Sequence, residues 1–387
     1  MFSERVPRSL ETNRITQAVG RAREAGHPLI DLTTTNPTTV GIDYPADILQ
    51  PLADPAAKVY RPQPFGLFEA RAAVARDYER KGLRIDPNRI VLTASTSEAY
   101  SLLFKLLCAP AGDAVMVPVP SYPLFEHLTM LDGVEPTAYR LDYHGRWVLV
   151  ADDLYRCWRT TTRAVLAVSP NNPTGSVLTA EELGALCSLC SERGAALIVD
   201  EVFADYPLTV AASQAADVEP RCLMFRLGGL SKSAGLPQVK LGWIAVDGPD
   251  RLVADALQRL EVIGDAYLSV STPVQVAASA LIDRGAAVRE RIQARIAAND
   301  AALRSAARAH PSVDVLPTEA GWSSVIRVPA TRTEETLVLD LLEQDHVLVH
   351  PGFFFDFPCE AFVVVSLLPQ PDEFREGVRR LLGRADV

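Results

Sequence analysis

Short apolar runs alternate with segments of helical periodicity along the middle of this chain, and this alternation limits the fold more than any other feature. Between residues 66 and 227 the pattern predicts strands at 90–93, 114–119, 137–141, 164–168, 196–199 and 222–227. It predicts helices among them at 67–81, 97–107, 124–131, 152–158 and 179–193. Strands that alternate with helices form βαβ units, so we expect an α/β fold whose mostly parallel sheet is covered by helices on both faces.

The unusual polar residues of this region come directly after predicted strands. They are Ser95, Thr96, Ser97, Tyr122, Asn172 and Asp200, together with Lys232, which we predict to lie in a loop punctuated by Gly and Pro. Parallel sheets bind ligands beyond the carboxyl ends of their strands, and those ends lie along one edge. We therefore predict that these residues form a single site at that edge.

The remainder of the chain predicts a second, smaller unit. Residues 250–309 have helical periodicity, which Pro273 kinks or divides, and a pattern of short strands and helices follows. We predict a large domain over residues 45–272 and a small α+β domain made of residues 1–44 and 273–387.

Charge and hydropathy exclude several classes of partner. The chain has 48 acidic and 38 basic side chains and a net charge of −10, which argues against nucleic acid or an anionic membrane as the main partner. It has no apolar run of about 18 residues that would predict a transmembrane helix. The first residues lack the apolar core of a signal peptide, so we expect a cytoplasmic protein.

The cysteines and histidines do not indicate a metal site. The six cysteines are scattered, as is typical of buried thiols in a reducing compartment. Cys187 and Cys190 have the spacing of a redox motif, but they lie in the helix predicted at 179–193, so we predict ordinary helix packing. His346 and His350 are separated by a predicted strand and need not share a face, so we predict no metal.

Together, the polar residues at the sheet edge have the chemistry to hold a flat, phosphorylated, cationic heterocycle with an aldehyde. A Ser/Thr-rich turn at a helix N-terminus binds anions, and Lys240 adds a cation. Asp200 could hold a protonated ring nitrogen, Tyr122 could stack on the ring, and Asn172 could donate to a phenolate oxygen. Lys232 supplies an amine that forms Schiff bases with carbonyls once its pKa is lowered. Each residue alone has an ordinary explanation as a cap or turn, but the combination favours pyridoxal phosphate.

From about Arg14 to Leu382 the chain resembles the class I/II aminotransferases of pyridoxal-phosphate fold type I. Residues 172–175, Asn-Pro-Thr-Gly, match a signature of that family. The resemblance implies a three-layer α/β/α large domain and catalytic roles for Lys232, Asp200 and Tyr122. The cofactor-binding residues that it implies are Ser95, Thr96, Ser97, Tyr122, Asn172, Asp200, Phe203, Ser231, Lys232, Lys240 and Tyr60.

The resemblance also implies an assembly and a reaction. Tyr60 matches a tyrosine that reaches the phosphate in the other subunit, which implies a homodimer with shared active sites. The implied reaction moves an amino group from an amino acid or amine donor to a 2-oxo acid through a Schiff base on Lys232, in a biosynthetic process. Lyases, decarboxylases and γ-substitution synthases use the same scaffold and remain an alternative. A non-catalytic regulator would carry a basic DNA-binding domain, which the first 29 residues do not predict.

Three positions depart from the family pattern. Phe203 replaces a tyrosine, and the missing hydroxyl predicts a raised pKa for the cofactor's Schiff base. Lys240 replaces an arginine and keeps the charge without the bidentate fork. Val364 stands where the family has an arginine that clamps the substrate carboxylate, and burying such a charge without a partner is costly.

The sequence leaves the substrate side of the site open. Either another arginine takes over, with Arg14, Arg61 and Arg327 as candidates, or the substrate has no carboxylate at that end. Asn36 and Phe353 are further predicted substrate-side residues. Phe353 begins an aromatic run that core packing would explain equally well.

Overall fold

The computed structural model describes residues 2–213 and 218–386 of the chain. Its helices are α1 (Arg14–Glu24), α2 (Phe68–Arg80), α3 (Thr96–Leu107), α4 (Leu124–Asp132), α5 (Ala151–Cys157), α6 (Ala180–Arg193), α7 (Leu230–Ser233), α8 (Asp250–Tyr267), α9 (Thr272–Ala307), α10 (Glu334–Gln344) and α11 (Pro371–Ala385). Its strands are β1 (Ile30–Asp31), β2 (Ile90–Thr93), β3 (Ala114–Val119), β4 (Glu135–Tyr143), β5 (Trp147–Leu149), β6 (Thr162–Val168), β7 (Ala196–Asp200), β8 (Met224–Gly229), β9 (Gly242–Asp247), β10 (Asp314–Val315), β11 (Ser323–Arg327), β12 (Val347–Leu348), β13 (His350–Pro351) and β14 (Phe362–Ser366).

The large sheet has eight strands in the order β2-β9-β8-β7-β6-β3-β4-β5. Six of them run in one direction, and β9 and β5 run against the others. Helices α3, α4 and α8 cover one face, while α5 and α6 cover the other and α2 covers the β2 end. The predicted α/β fold with a mostly parallel sheet between two layers of helices is confirmed.

Local sequence signals explain why these elements form where they do. Every residue of β7 is buried, as the continuous apolar runs of a parallel sheet require. Helix α6 begins with a capping box formed by Thr179 and Glu182, and it ends at Gly194, whose φ of 65° suits a left-handed C-cap. Cys187 and Cys190 are buried in this helix, in agreement with the predicted helix packing.

Three features differ from the prediction. Strand β5 is not predicted, because it has three residues and its pairing with β4 is not visible in so short a pattern. Lys232 lies in the short helix α7, where a loop is predicted. Pro273 does not kink a helix but lies in the first turn of α9, a position at which its missing N–H costs nothing.

The parallel strands bring their carboxyl ends to one edge of the large sheet. These ends are Thr93, Val119, Tyr143, Val168, Asp200 and Gly229. Strand β9 starts from the same edge, because its first residue, Gly242, lies opposite both Thr93 and Gly229. The turns at this edge therefore come together above the sheet.

The remaining strands form two smaller sheets, of which the two-stranded one joins the beginning of the chain to its end. Strands β10-β11-β14-β13 form an antiparallel sheet, and β1 pairs in parallel with β12. Val363 and Val365 of β14 point into the core with α9 and α11, whereas Val364 points to the opposite face. The domain boundaries at residues 45 and 273 stay a prediction. Among the described helices, none is both long and apolar enough to cross a lipid bilayer.

Candidate active site

The turns at the carboxyl edge of the large sheet surround one cavity of about 540 Å³, a volume typical of ligand sites. The small antiparallel sheet closes its other side through Trp322, Ser323, His350 and Ser366. Predicted site residues that line the cavity are Ser95, Thr96, Ser97, Tyr122, Asn172, Asp200, Phe203, Ser231, Lys232 and Lys240. The fold therefore brings ten of the predicted residues together.

Lys232 extends from α7 into the cavity. The hydroxyl of Tyr206 donates a hydrogen bond to the Lys232 backbone carbonyl and so anchors this short helix to the core. The Lys232 amine lies 5.0 Å from the centre of the Trp322 ring and 5.7 Å from that of Phe203. Burial lowers the pKa of the amine, and the nearby Asp200 carboxylate opposes that shift only in part. The environment thus makes the amine easier to deprotonate, and the deprotonated amine is the nucleophilic form.

Asp200 ends β7 on the floor of the cavity and is buried. The Tyr100 hydroxyl donates to one carboxylate oxygen at 2.6 Å, and the backbone N–H of Val202 donates to the other at 3.0 Å. Burial raises the pKa of Asp200 to about 6, although both hydrogen bonds act in the opposite direction. The carboxylate is therefore suited to a cationic partner inside the cavity.

The sequence analysis does not single out Tyr100. It follows Thr96 by four residues and so lies on the same face of α3, which is the signal that places it near the site. Phe125 packs edge-on against its ring, with the centroids 5.4 Å apart, and holds it toward Asp200.

Residues 95–97 begin α3 and present an anion site. Ser95 is the N-cap, and its hydroxyl oxygen accepts from the N–H of Glu98 at 3.1 Å. The N–H groups of Thr96 and Ser97 have no partner within the helix and carry the positive end of its dipole. Strand β9 packs closely against this turn. A Cβ atom added at Gly242 would lie only 3.1 Å from the Thr96 backbone nitrogen, so the glycine allows this approach. Lys240 precedes that strand and adds the predicted cation.

Asn171 fixes the two turns that carry Tyr122 and Asn172. Its side-chain N–H groups donate to the Pro120 carbonyl at 3.0 Å and to the Thr174 hydroxyl at 2.8 Å. The Ser121 hydroxyl donates to its oxygen at 2.9 Å. Neighbouring residues thus hold Tyr122 and Asn172 at the cavity. The Ser323 hydroxyl donates to the Asn172 oxygen at 3.4 Å, which leaves the amide N–H groups to face away from Ser323.

The side of the cavity formed by the small sheet is aromatic. Trp322, Phe354 and Phe355 line it together with His350. The His350 ring lies 5.9 Å from Phe354 and 5.7 Å from Phe355 between centroids. The Trp322 indole N–H is buried and has no hydrogen-bond partner in the part of the chain that the structure describes. Sequence analysis missed Trp322 and His350, because only the pairing of the small sheet brings them to the cavity.

The family pattern described as aminotransferase class I and II matches residues 45–381. The chain belongs to the class I and II aminotransferases. It is 25% identical to the glutamate-pyruvate aminotransferase AlaA of Haemophilus influenzae, over 93% of this chain and 91% of that protein. It is 27% identical to the alanine aminotransferase of Mycobacterium bovis, over 95% and 88% of the two chains. The structure of an alanine aminotransferase from Pyrococcus furiosus superposes with a TM-score of 0.88 at 24% identity, over 99% of each chain.

Several predicted residues of this aminotransferase lie outside the cavity. Tyr60 is 71% exposed and lines a separate surface groove together with Arg61. Asn36 lies at the mouth of the site, where its side-chain oxygen accepts from the Thr38 N–H at 3.0 Å. Phe353 is 44% exposed, whereas the next two residues of its aromatic run line the cavity.

The structure also shows where the candidate arginines for the carboxylate clamp and the departing position, Val364, lie. Arg14 is on the surface and pairs with Glu335 at 2.8 Å. Arg327 pairs with Asp314 at 2.7 Å and is half exposed. Val364 is buried in the hydrophobic core beside the cavity. Of the three candidate arginines, Arg14, Arg61 and Arg327, none lines the cavity.

Proposed function

We propose that this aminotransferase uses pyridoxal phosphate, held by Lys232, to move an amino group from an amino acid or amine to a 2-oxo acid. The observation that carries the proposal is that Lys232 and Asp200, which follow the neighbouring strands β8 and β7, line one cavity. The amine has a lowered pKa and the carboxylate a raised one, so each group favours a partner from a ligand. Such opposed shifts in one cleft are typical of catalytic sites.

The residues of the cavity fit this cofactor. The buried Asp200 carboxylate suits a protonated ring nitrogen, because its pKa is raised by burial and a neighbouring cation would stabilise its charged form. The α3 N-terminus and Lys240 suit a phosphate. Tyr122, 44% exposed at the cavity, offers a ring face for stacking, and Asn172 offers amide N–H groups to a phenolate oxygen.

The chain's own groups would then divide the work. When bound, pyridoxal phosphate supplies an electron sink that makes loss of a proton from the substrate carbon possible. Asp200 would keep the sink effective by holding the ring nitrogen protonated. Lys232 would hold the aldehyde carbon and, once a substrate amine displaces it, would carry the proton as a base, a role for which its lowered pKa suits it. Ser231 and Phe203 would line the approach to that amine.

We also propose a homodimer in which Tyr60 completes the site of the partner subunit. Tyr60 and Tyr267 are exposed large side chains that line the same groove, and Val59 beside Tyr60 is 59% exposed. Exposed apolar residues in such a cluster are typical of interfaces.

The six cysteines are free thiols, which supports a reducing compartment such as the cytoplasm.

A half-reaction tests the proposed function. Protein loaded with pyridoxal phosphate and freed of excess is mixed with L-alanine or L-glutamate, which the names of its relatives suggest. We expect one equivalent of 2-oxo acid per subunit and a matching loss of the visible cofactor band, without turnover until a second 2-oxo acid is added. Release of ammonia or carbon dioxide with the band retained would instead support a lyase or decarboxylase.

A further inference from the structure

No arginine in the described parts of the chain lines the cavity to receive a substrate carboxylate. The described residues include every arginine of the chain, and none of them lines the cavity. Its cationic groups are Lys232, Lys240 and, when protonated, His350. The first two lie with the cofactor-binding residues at the large-sheet edge. Among the described residues, His350 is thus the one titratable cation that the small sheet presents to the cavity.

The pairing of the small sheet relates His350 to the missing arginine. His350 lies directly opposite Val364 in the antiparallel pair of β13 and β14. Residues directly opposite one another point to the same face, with Cβ atoms about 5 Å apart. Ser366 follows Val364 by two residues and lines the cavity, and its neighbour across the sheet is Ser323. An imidazole from the adjacent strand therefore reaches the region that a side chain from residue 364 would enter.

We propose, on the basis of the proposed function, that His350 binds the carboxylate of the amino-acid and 2-oxo-acid substrates, in place of an arginine. Ser366, two residues after Val364 on the same strand, lines the cavity, and its hydroxyl donates a further hydrogen bond to the carboxylate. His350 is a specificity-determining residue in this assignment, because it contacts the substrate and leaves the reacting bond to Lys232.

This clamp differs from an arginine because it must take up a proton. Burial lowers the pKa of His350, so the ring is neutral near pH 7 before a ligand binds. The nearby Asp31 carboxylate favours the protonated ring. Lys232 and Lys240, which line the same cavity, are cations and disfavour it. The Glu334 carboxylate at the start of α10 lies next to Gly352, two residues from His350. A carboxylate against the ring favours the imidazolium, which then forms a charge-assisted hydrogen bond. Carboxylate binding is thus coupled to proton uptake from water.

Calorimetry with a non-reacting pair of ligands tests the proposal. The protein is loaded with cofactor, and borohydride then reduces the imine between the cofactor and Lys232. The reduced linkage no longer titrates as an imine. Phenylacetate matches the aromatic wall and carries a carboxylate, and phenylacetamide is its neutral control. We expect phenylacetate binding at pH 7 to take up close to one proton, measured in buffers of different ionisation enthalpy, and to weaken about tenfold per pH unit above neutrality. Phenylacetamide should bind without proton uptake.

Two variants and a control locate the effect. His350→Gln and His350→Phe should abolish proton uptake and weaken phenylacetate binding at pH 6 about tenfold or more, the effect of a lost charge-assisted hydrogen bond. His127→Gln, on the exposed side of α4, should match the parent protein. If His350→Gln keeps both the affinity and the proton uptake, the inference is wrong while the proposed function stands. If mass spectrometry finds no cofactor on Lys232, the proposed function fails and the inference falls with it.

Discussion

The two halves of the cavity are built differently. At the large-sheet edge, the functional groups have fixed partners: Tyr100 and Val202 hold Asp200, and Tyr206 anchors the backbone of Lys232. At the small sheet, rings and hydroxyls dominate, and the buried Trp322 N–H has no partner among the described residues. The first half resembles a prepared electrostatic site, in which groups are oriented before a ligand arrives. The second half leaves the choice of substrate to a few side chains.

Replacing Lys232 gives the largest expected effect and tests the prepared half. Lys232→Ala should slow the half-reaction by roughly 10²–10⁴-fold even with excess cofactor, because the proton loses its base. Lys240→Ala should instead weaken cofactor binding and regain most of its rate when cofactor is added, because that residue contributes charge at the α3 end. Single-turnover absorption kinetics separate the two. A Lys232→Ala enzyme within tenfold of the parent would remove this lysine from the chemistry.

The charged Asp200 carboxylate should lower the free energy of unfolding of the cofactor-free protein, unlike the polar groups of the small sheet. Its pKa is raised to about 6, well above the value of about 3.9 in an unfolded chain. Between these values the folded protein holds a proton that the unfolded chain has released, so the free energy of unfolding falls as pH rises from about 4 to 6. Asp200→Asn should therefore raise the free energy of unfolding at pH 7 by about 1–3 kcal/mol, with no gain below pH 4.

Urea unfolding of the cofactor-free proteins at both pH values measures this difference. Ser366→Ala, on the small-sheet side, provides a buried polar replacement without a titrating group. Equal free energies of unfolding for Asp200→Asn and the parent protein at pH 7 would show that the buried carboxylate does not destabilise the fold.

Tyr100→Phe sharpens the comparison by removing one of the two donors to Asp200. The charged carboxylate loses a hydrogen bond, so its pKa should rise by about one unit, equivalent to about 1.4 kcal/mol. The infrared band of the protonated carboxyl group, identified by its absence in Asp200→Asn, follows this titration. Tyr139→Phe also deletes a buried hydroxyl, one that donates to the Leu166 carbonyl at 2.9 Å, and should leave the band unchanged. An unshifted band in Tyr100→Phe would make Tyr100 a packing residue only.

The smallest expected effect concerns Phe203, which lies between the two halves and packs against Trp322 with ring centroids 5.4 Å apart. Phe203→Tyr would return a hydroxyl that stabilises the cofactor's phenolate. The pH at which the visible band of the loaded enzyme changes should therefore fall by roughly half a unit to one unit. A spectral titration of both proteins measures it, and identical midpoints would refute the effect.

The same contrast explains what the sequence could predict. The strand-end clusters were predictable because strand periodicity and turn residues are local, and parallel pairing forces their ends to one edge. Lys232, Asp200 and Asn172 follow from that rule. Tyr100 depends on which face of α3 meets β7, and His350 depends on its pairing with Val364. Such contacts between distant segments have no local signature, and three-residue strands such as β5 carry no periodicity.

Labelling of Lys232 tests the central claim most directly. The purified protein is incubated with pyridoxal phosphate, reduced with borohydride, digested and analysed by mass spectrometry. The account predicts a yellow protein and a single reduced cofactor on the peptide that carries Lys232, with none on Lys240. A colourless protein, or a label on any other lysine with Lys232 unmodified, would contradict it.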